Sequence, residues 1–291
     1  MSLHVDRYET AGSGAPLLLI HGWGMHGGMW ISVAEQLAQH FKVYAVDLPG
    51  HGYSLTLSRQ RERGLNMLDA IVDQLALQFS EPLTVCGWSL GGQVALRWAL
   101  RHPQQVERLV MVASTPCFVR LEDWKYALSV EILEDFAVNL QQNYALTLKR
   151  FLSLQMRGSE QERETLAILR DGLFSRGEPD LHALQDGLEI LRSSDLRCDL
   201  PDLKQPMLVL AGERDTLIPH QASQYLASQT PNGRMEIIRG AAHAPFLSHP
   251  EIFTDLVMEF MRDGNLNPNP SQLPLIRGEA APPDKRGSRG V

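Results

Sequence analysis

Ser89 stands at the centre of Gly87-Trp88-Ser89-Leu90-Gly91, directly after the apolar run Leu83-Thr84-Val85-Cys86 and before a helical pattern that begins near Gly92. A serine hydroxyl is a weak nucleophile, and a strand–turn–helix context is one that activates it. The sharp turn lifts Oγ clear of the strand and leaves it at a helix N-terminus, where unpaired N–H groups favour negative charge. The flanking glycines suit such a turn because it presses their Cα atoms against neighbouring backbone. Without that context, a G-x-S-x-G string reads equally well as a glycine-rich turn.

The hydroxyl also needs a base. Serine hydrolases built on this elbow carry their partners in the order Ser…Asp…His, so the base belongs in a loop after the last strand. Gly240-Ala241-Ala242-His243-Ala244-Pro245 follows Glu236-Ile237-Ile238, and small neighbours leave the His243 imidazole free to reach Oγ. His249 is the competing histidine, but His249-Pro250-Glu251 has the form of a helix start. The acid should follow the preceding strand. Gly212-Glu213-Arg214-Asp215 offers Asp215, 28 positions before His243, with Glu213 as the alternative. Its task is to accept the Nδ1 proton, fix the tautomer and stabilise the imidazolium; its bland reading is a turn or cap residue. Two N–H groups should hold the tetrahedral oxyanion: Leu90, after the nucleophile, and Trp23, in the early loop His21-Gly22-Trp23-Gly24. Trp23 would also wall the acyl pocket. His51, in the loop 47–54, is assigned to structure, and Cys86 reads as a small buried hydrophobe. This chemistry needs no cofactor and no metal.

The elements that must position these residues are legible as well. Short apolar runs at 16–20, 43–47, 83–86, 109–113, 207–211 and 234–238 end in turn formers and read as buried strands. Helical patterns at 34–38 and 65–79 lie between them, so the fold class is α/β, a mostly parallel central sheet flanked by helices. The alternation breaks after Pro116. From Cys117 to Arg157 there is neither Gly nor Pro, and Trp124, Leu128, Ile132, Phe136 and Leu140 recur at helical spacing. A second helix is expected at 161–170. The reading is a core of residues 1–118 and 195–262, closed by a helix at about 250–261, with a helical lid insertion at 119–194. Residues 263–291, rich in Asn, Pro and Gly, are expected to be a disordered tail.

Bulk properties narrow the classes further. A chain of 291 residues with 44% hydrophobic content has room for one large core. A formal charge of −7 argues against nucleic-acid binding, which needs a basic surface. No apolar run approaches a membrane span, no signal peptide is visible, and three cysteines without CxxC spacing suit neither a disulfide framework nor a zinc site. A cytoplasmic monomer is expected.

Together HGWG, DLPGHG, GWSLGG, GERD and AAHAPFLSHP resemble the α/β-hydrolase superfamily over the whole folded chain. Within it, residues 113–118, Arg150-Phe151-Leu152-Ser153-Leu154-Gln155, 187–191 and 195–197 are similar to the pimeloyl-acyl-carrier-protein methyl ester esterases of biotin synthesis. That resemblance implies the α/β-hydrolase fold and a methyl ester at the end of a pimeloyl chain on acyl carrier protein. It implies that Trp23, Ser89, Leu90, His243 and Phe151, Leu152, Ser153, Leu154 and Gln155 line the acyl site. Arg150 and Arg163 match positions that meet the acidic carrier. Leu146 and Ala167 stand where further arginines are expected, with Lys149 and Arg157 as neighbouring cations. Ordinary solvated helix charge is the plainer account of these residues. Rival chemistries of the same fold are a thioesterase, a C–C bond hydrolase and a broad carboxylesterase; a ligand-binding receptor is the rival from another class. Ser89 argues against relatives that use an aspartate nucleophile.

Overall fold

The computed structural model describes residues 2–9, 14–57, 66–262 and 275–278. The apolar runs pair into one sheet: β1 (Val5–Tyr8), β2 (Pro16–Ile20), β3 (Lys42–Val46), β4 (Leu83–Trp88), β5 (Val106–Val112), β6 (Met207–Gly212), β7 (Gly233–Ile238) and β8 (Leu275–Arg277). Their order is β1-β3-β2-β4-β5-β6-β7-β8. Only β1, against β3, is antiparallel. Every residue of β4 and β6 is buried, as strands covered on both faces must be. The chain order reverses between β2 and β4, and in such sheets loops at the carboxyl ends of the strands open a crevice there.

Helices α1 (Ile31–Leu37), α2 (Met67–Gln78), α3 (Leu90–Arg101), α7 (His220–Gln229), α8 (Pro245–Ser248) and α9 (Pro250–Arg262) flank the sheet. α9 packs on α1 through Phe253, Leu256, Val257 and Phe260, an apolar stripe at helical spacing. Between β5 and β6 the chain forms a cap of α4 (Val130–Met156), α5 (Glu162–Gly172) and α6 (Leu181–Ser193). The chain leaves and re-enters at one neck: Cys117 bridges Asp195, and the Leu196 N–H donates to the Pro116 carbonyl at 3.0 Å.

Four features depart from the sequence reading. Helix does not begin at Cys117: residues up to Ser129 are irregular, tied by bridges of Val119 to Leu128 and Leu121 to Trp124. α4 is broken at Asn143 (φ −156°, ψ 84°), whose Oδ1 accepts the Leu146 N–H at 3.0 Å and so caps the second half. β1 lacks the continuous apolar run of a buried strand, because it is a partly exposed edge. Within the expected tail, Leu275–Arg277 is a strand on β7, and Arg277 reaches Glu236 and Glu259 at 3.6 Å. Composition averaged over the tail hides this short β-prone segment and its ion pairs. The remainder of that expectation, 263–274 and 279–291, lies outside the described residues.

Candidate active site

β4 ends at Trp88, and the chain turns straight into α3. The turn forces Ser89 to φ 55°, ψ −116°, a region non-glycine residues rarely occupy. The turn is tight enough that a Cβ on Gly87 would fall 2.2 Å from the Gly91 carbonyl oxygen, and one on Gly91 would fall 2.5 Å from that of Ile20. Both positions therefore require glycine. Ser89 Oγ lies 3.0 Å from His243 Nε2, and His243 Nδ1 lies 2.8 Å from Asp215 Oδ2. The side chains of His243 and Asp215 are each 1% exposed, so the relay is shielded from water.

Each partner is itself held. The other oxygen of Asp215, Oδ1, accepts the N–H groups of Leu217 (2.9 Å) and Ile218 (3.0 Å). The carboxylate is thus both a turn cap and the partner of His243. Glu213, the alternative acid, is engaged elsewhere by the Gly240 N–H at 3.0 Å. The His243 carbonyl accepts the Trp88 indole N–H at 2.7 Å, and its own N–H donates to the Gln155 carbonyl of α4 at 3.2 Å. His249 instead bonds its neighbour Ser248. Burial pushes the Cys86 thiol far above its ordinary range, which makes it a poor nucleophile.

Trp23 follows β2 in a loop fixed by His21. Burial, then the neighbouring His51, hold the His21 imidazole well below the usual histidine range, hence neutral. His21 Nε2 accepts the Leu48 N–H at 2.9 Å, so Nδ1 carries the proton and donates to the Gly22 carbonyl at 2.8 Å. Among the described residues no loop, turn or cap hydrogen bond takes the N–H of Trp23 or Leu90. Leu90 is the first residue of α3 and has no carbonyl one turn earlier within the helix. Both amides remain available as donors near Ser89.

Over Ser89 and His243 lies a narrow apolar pocket, roofed by the cap. Of the residues expected to line it, Trp23, Ser89, Phe151 and His243 do. Leu90, Leu152, Ser153, Leu154 and Gln155 do not. On a helix only one residue in each turn faces a given side, so a run of five cannot all point inward. Leu152 is buried in the core, and Ser153 Oγ turns back to the Lys149 carbonyl. Gln155, one turn after Phe151, touches the site through its backbone carbonyl. The Leu90 side chain borders a second small pocket, with His51 and Gly187. The lining that sequence reasoning missed comes in pairs one turn apart on cap helices, Leu133 with Phe136 and Leu188 with Leu191, together with Phe118, Leu128 and Leu217. Amphipathic spacing is the signal for the pairs, but spacing alone does not distinguish a cavity wall from packed core. Arg150 and Arg163 are exposed on α4 and α5, and neither is ion-paired among the described residues.

The arrangement could act as a shielded serine nucleophile with a histidine base, two nearby amide donors and an apolar pocket. Residues 15–250 match the α/β-hydrolase fold family. The pimeloyl-[acyl-carrier protein] methyl ester esterase of Nitrosomonas europaea is 45% identical over 253 residues, 87% of this chain and 96% of that protein. The protein of the same name from Chromobacterium violaceum is 42% identical over the same shares of the two chains. An esterase from Exiguobacterium antarcticum matches with a TM-score of 0.77 over 89% of this chain and 95% of that one; at 20% identity the likeness is one of fold.

Proposed function

From the chain's membership of the α/β-hydrolase family, among the pimeloyl-acyl-carrier-protein methyl ester esterases, we propose that it hydrolyses the methyl ester of a pimeloyl chain carried on acyl carrier protein. The chain is a carboxylic ester hydrolase, and Ser89 is the nucleophile of this reading. His243 Nε2 takes the Oγ proton as Oγ attacks the ester carbonyl, and the Leu90 and Trp23 amides receive the oxyanion. His243 returns the proton to the departing methanol. It then draws a proton from the water that cleaves the acyl-enzyme, freeing the pimeloyl carboxylate. Asp215 keeps the Nδ1 proton in place throughout.

The observation that carries the reading is the buried Ser89–His243–Asp215 relay beneath an apolar cavity. The exposed, unpaired Arg150 and Arg163 support an acidic carrier docking on the cap, because a chain of net charge −7 needs a local cationic patch to receive one.

The carrier substrate contains both a methyl ester and a thioester, so product analysis separates ester from thioester hydrolysis. Methanol release with the acyl chain still on the carrier is expected, and Ser89→Ala should abolish it, a loss on the order of 10⁶-fold. Reversing Arg150 and Arg163 to Glu should lower kcat/KM for the carrier-bound ester and flatten its salt dependence, sparing a small soluble ester. Release of the acyl chain from the carrier would refute the methyl ester assignment.

A further inference from the structure

We propose that Arg176, in the cap between α5 and α6, is a positioning residue that holds the loop carrying the Trp23 amide in its oxyanion-receiving shape. The inference rests on the catalytic reading above and adds a residue to it.

Asp47, at the end of β3, is fully buried. Its Oδ1 accepts the Gly27 N–H at 2.6 Å and its Oδ2 the Tyr53 N–H at 2.9 Å. Arg176 reaches it across 129 residues, with Nη1 3.2 Å from Oδ1 and 3.3 Å from Oδ2. The other guanidinium nitrogen, Nη2, pairs with Asp6 on β1, and the guanidinium lies 5.3 Å from the Tyr53 ring centroid. The loop itself is shaped to admit the arginine: a Cβ on Gly28 would fall 2.8 Å from the guanidinium.

Two further bonds fasten the same loop to the cap. His26 Nδ1 accepts the Gly28 N–H, so Nε2 carries the proton and donates to the Gly172 carbonyl at 2.7 Å. The Trp23 indole N–H donates to the Leu184 carbonyl of α6 at 2.9 Å. The cap thus grips residues 23–28 at three places. Among these, Arg176 to Asp47 is the grip that neutralises a buried charge. Without the guanidinium the Asp47 carboxylate is left desolvated and uncompensated, so it must draw in water or a proton, and Gly27 moves with it. A shift there carries to Trp23, four residues earlier. Misplacing an oxyanion donor weakens the transition state more than the bound ester.

The test uses p-nitrophenyl butyrate, a small ester that needs no carrier, with rates taken per active site titrated by a fluorophosphonate. R176M is expected to lower kcat roughly 10- to 100-fold with KM changed less than about threefold. Affinity for a trifluoromethyl ketone, whose adduct places an oxyanion on the same amides, should fall by the same factor as kcat/KM. R176K should recover part of both, and D6N, which removes only the partner on β1, should leave both close to the parent. A lower melting temperature with kcat per titrated site and ketone affinity unchanged would overturn the proposal. Where R176M does not fold, R176K carries the test: matched losses of kcat/KM and ketone affinity support it, and unmatched losses overturn it. Ser89→Ala run alongside separates the two failures. An active Ser89→Ala removes the catalytic reading itself, whereas an inactive one beside a fully active R176M removes only the role of Arg176.

Discussion

Replacing Asp215 by Asn tests the relay more sharply than deleting it, because the surrounding backbone dictates how the amide must sit. Oδ1 of Asp215 accepts two N–H groups, from Leu217 and Ile218. An asparagine must place its carbonyl oxygen there, which turns its NH₂ toward His243 Nδ1. The imidazole then has to accept at Nδ1 and carry its proton on Nε2, so it donates to Ser89 Oγ and cannot act as a base. The opposite amide orientation restores the right tautomer but sets NH₂ against two backbone donors. Forfeiting those two bonds costs about 1–3 kcal/mol each, so the competent arrangement is populated roughly 30- to 20,000-fold less. D215N should therefore lower kcat by that factor while the melting temperature stays near the parent's, since both N–H groups remain paired. D215A should instead lose stability, by about 2–6 kcal/mol, because the same two donors are buried unpaired. Turnover of p-nitrophenyl butyrate alongside thermal melts reads both quantities. A D215N enzyme with more than a tenth of the parent's kcat would refute the assignment of Asp215.

Two further outcomes follow from burial. His21, His26 and His51 have pKa values lowered chiefly by desolvation, so between their folded and unfolded pKa values the unfolded chain binds more protons. Their contribution is fully present above the unfolded pKa, near 6.5, and is lost as pH falls below it, by at most about 1.4 kcal/mol per pH unit per histidine. Urea unfolding at pH 7 and pH 5 should show that loss, and a flat profile would contradict the neutral burial of the three rings. Among the described residues the pocket over Ser89 is lined without a lysine or arginine, so on the proposed reading a carboxylate a few carbons from the scissile ester has no partner there. Dimethyl succinate should be hydrolysed at least about 100-fold faster, by kcat/KM, than monomethyl succinate, and rates within tenfold would mean that the chain end reaches water or a cation.

The contrast between what the sequence reveals and what it hides has a physical basis at particular residues. Ser89, Asp215 and His243 each follow a buried strand within a few residues. Strand ends and turn formers leave strong local marks, and the order of the three along the chain is set by the sheet. The elbow was legible for the same reason, since Gly87 and Gly91 are glycines because backbone approaches within 2.5 Å of where a Cβ would stand. The acyl cavity was not, because its walls are chosen by how the cap settles on the core. Leu133 and Leu140 are both buried on α4, yet only Leu133 faces the cavity, a distinction decided by packing across long sequence distances. The break at Asn143 was equally hidden: asparagine is tolerated within helices, and only its side-chain bond to Leu146 reveals a cap. Arg176 carried no local signal at all, since its partners lie 129 and 170 positions away.

The cap's contacts explain why the site is divided between two layers. In the proposed reading the core alone carries the nucleophile, base, acid and both amides, all at or just beyond the carboxyl ends of strands. The cap supplies most of the apolar walls, beside Trp23 and Leu217 of the core, and it also bonds to loops around the site: Gln155 to the His243 N–H, Leu184 to the Trp23 indole, Asp180 to the Gly50 carbonyl and Glu160 to the Gly240 carbonyl. Each such bond contributes about 0.5–1.5 kcal/mol net, in addition to the Arg176 ion pairs and the apolar packing between cap and core. Three of the four also fall on, or next to, a loop that bears a catalytic group or its neighbour. Seating the cap and setting the geometry of Ser89, His243 and the Trp23 amide are therefore coupled.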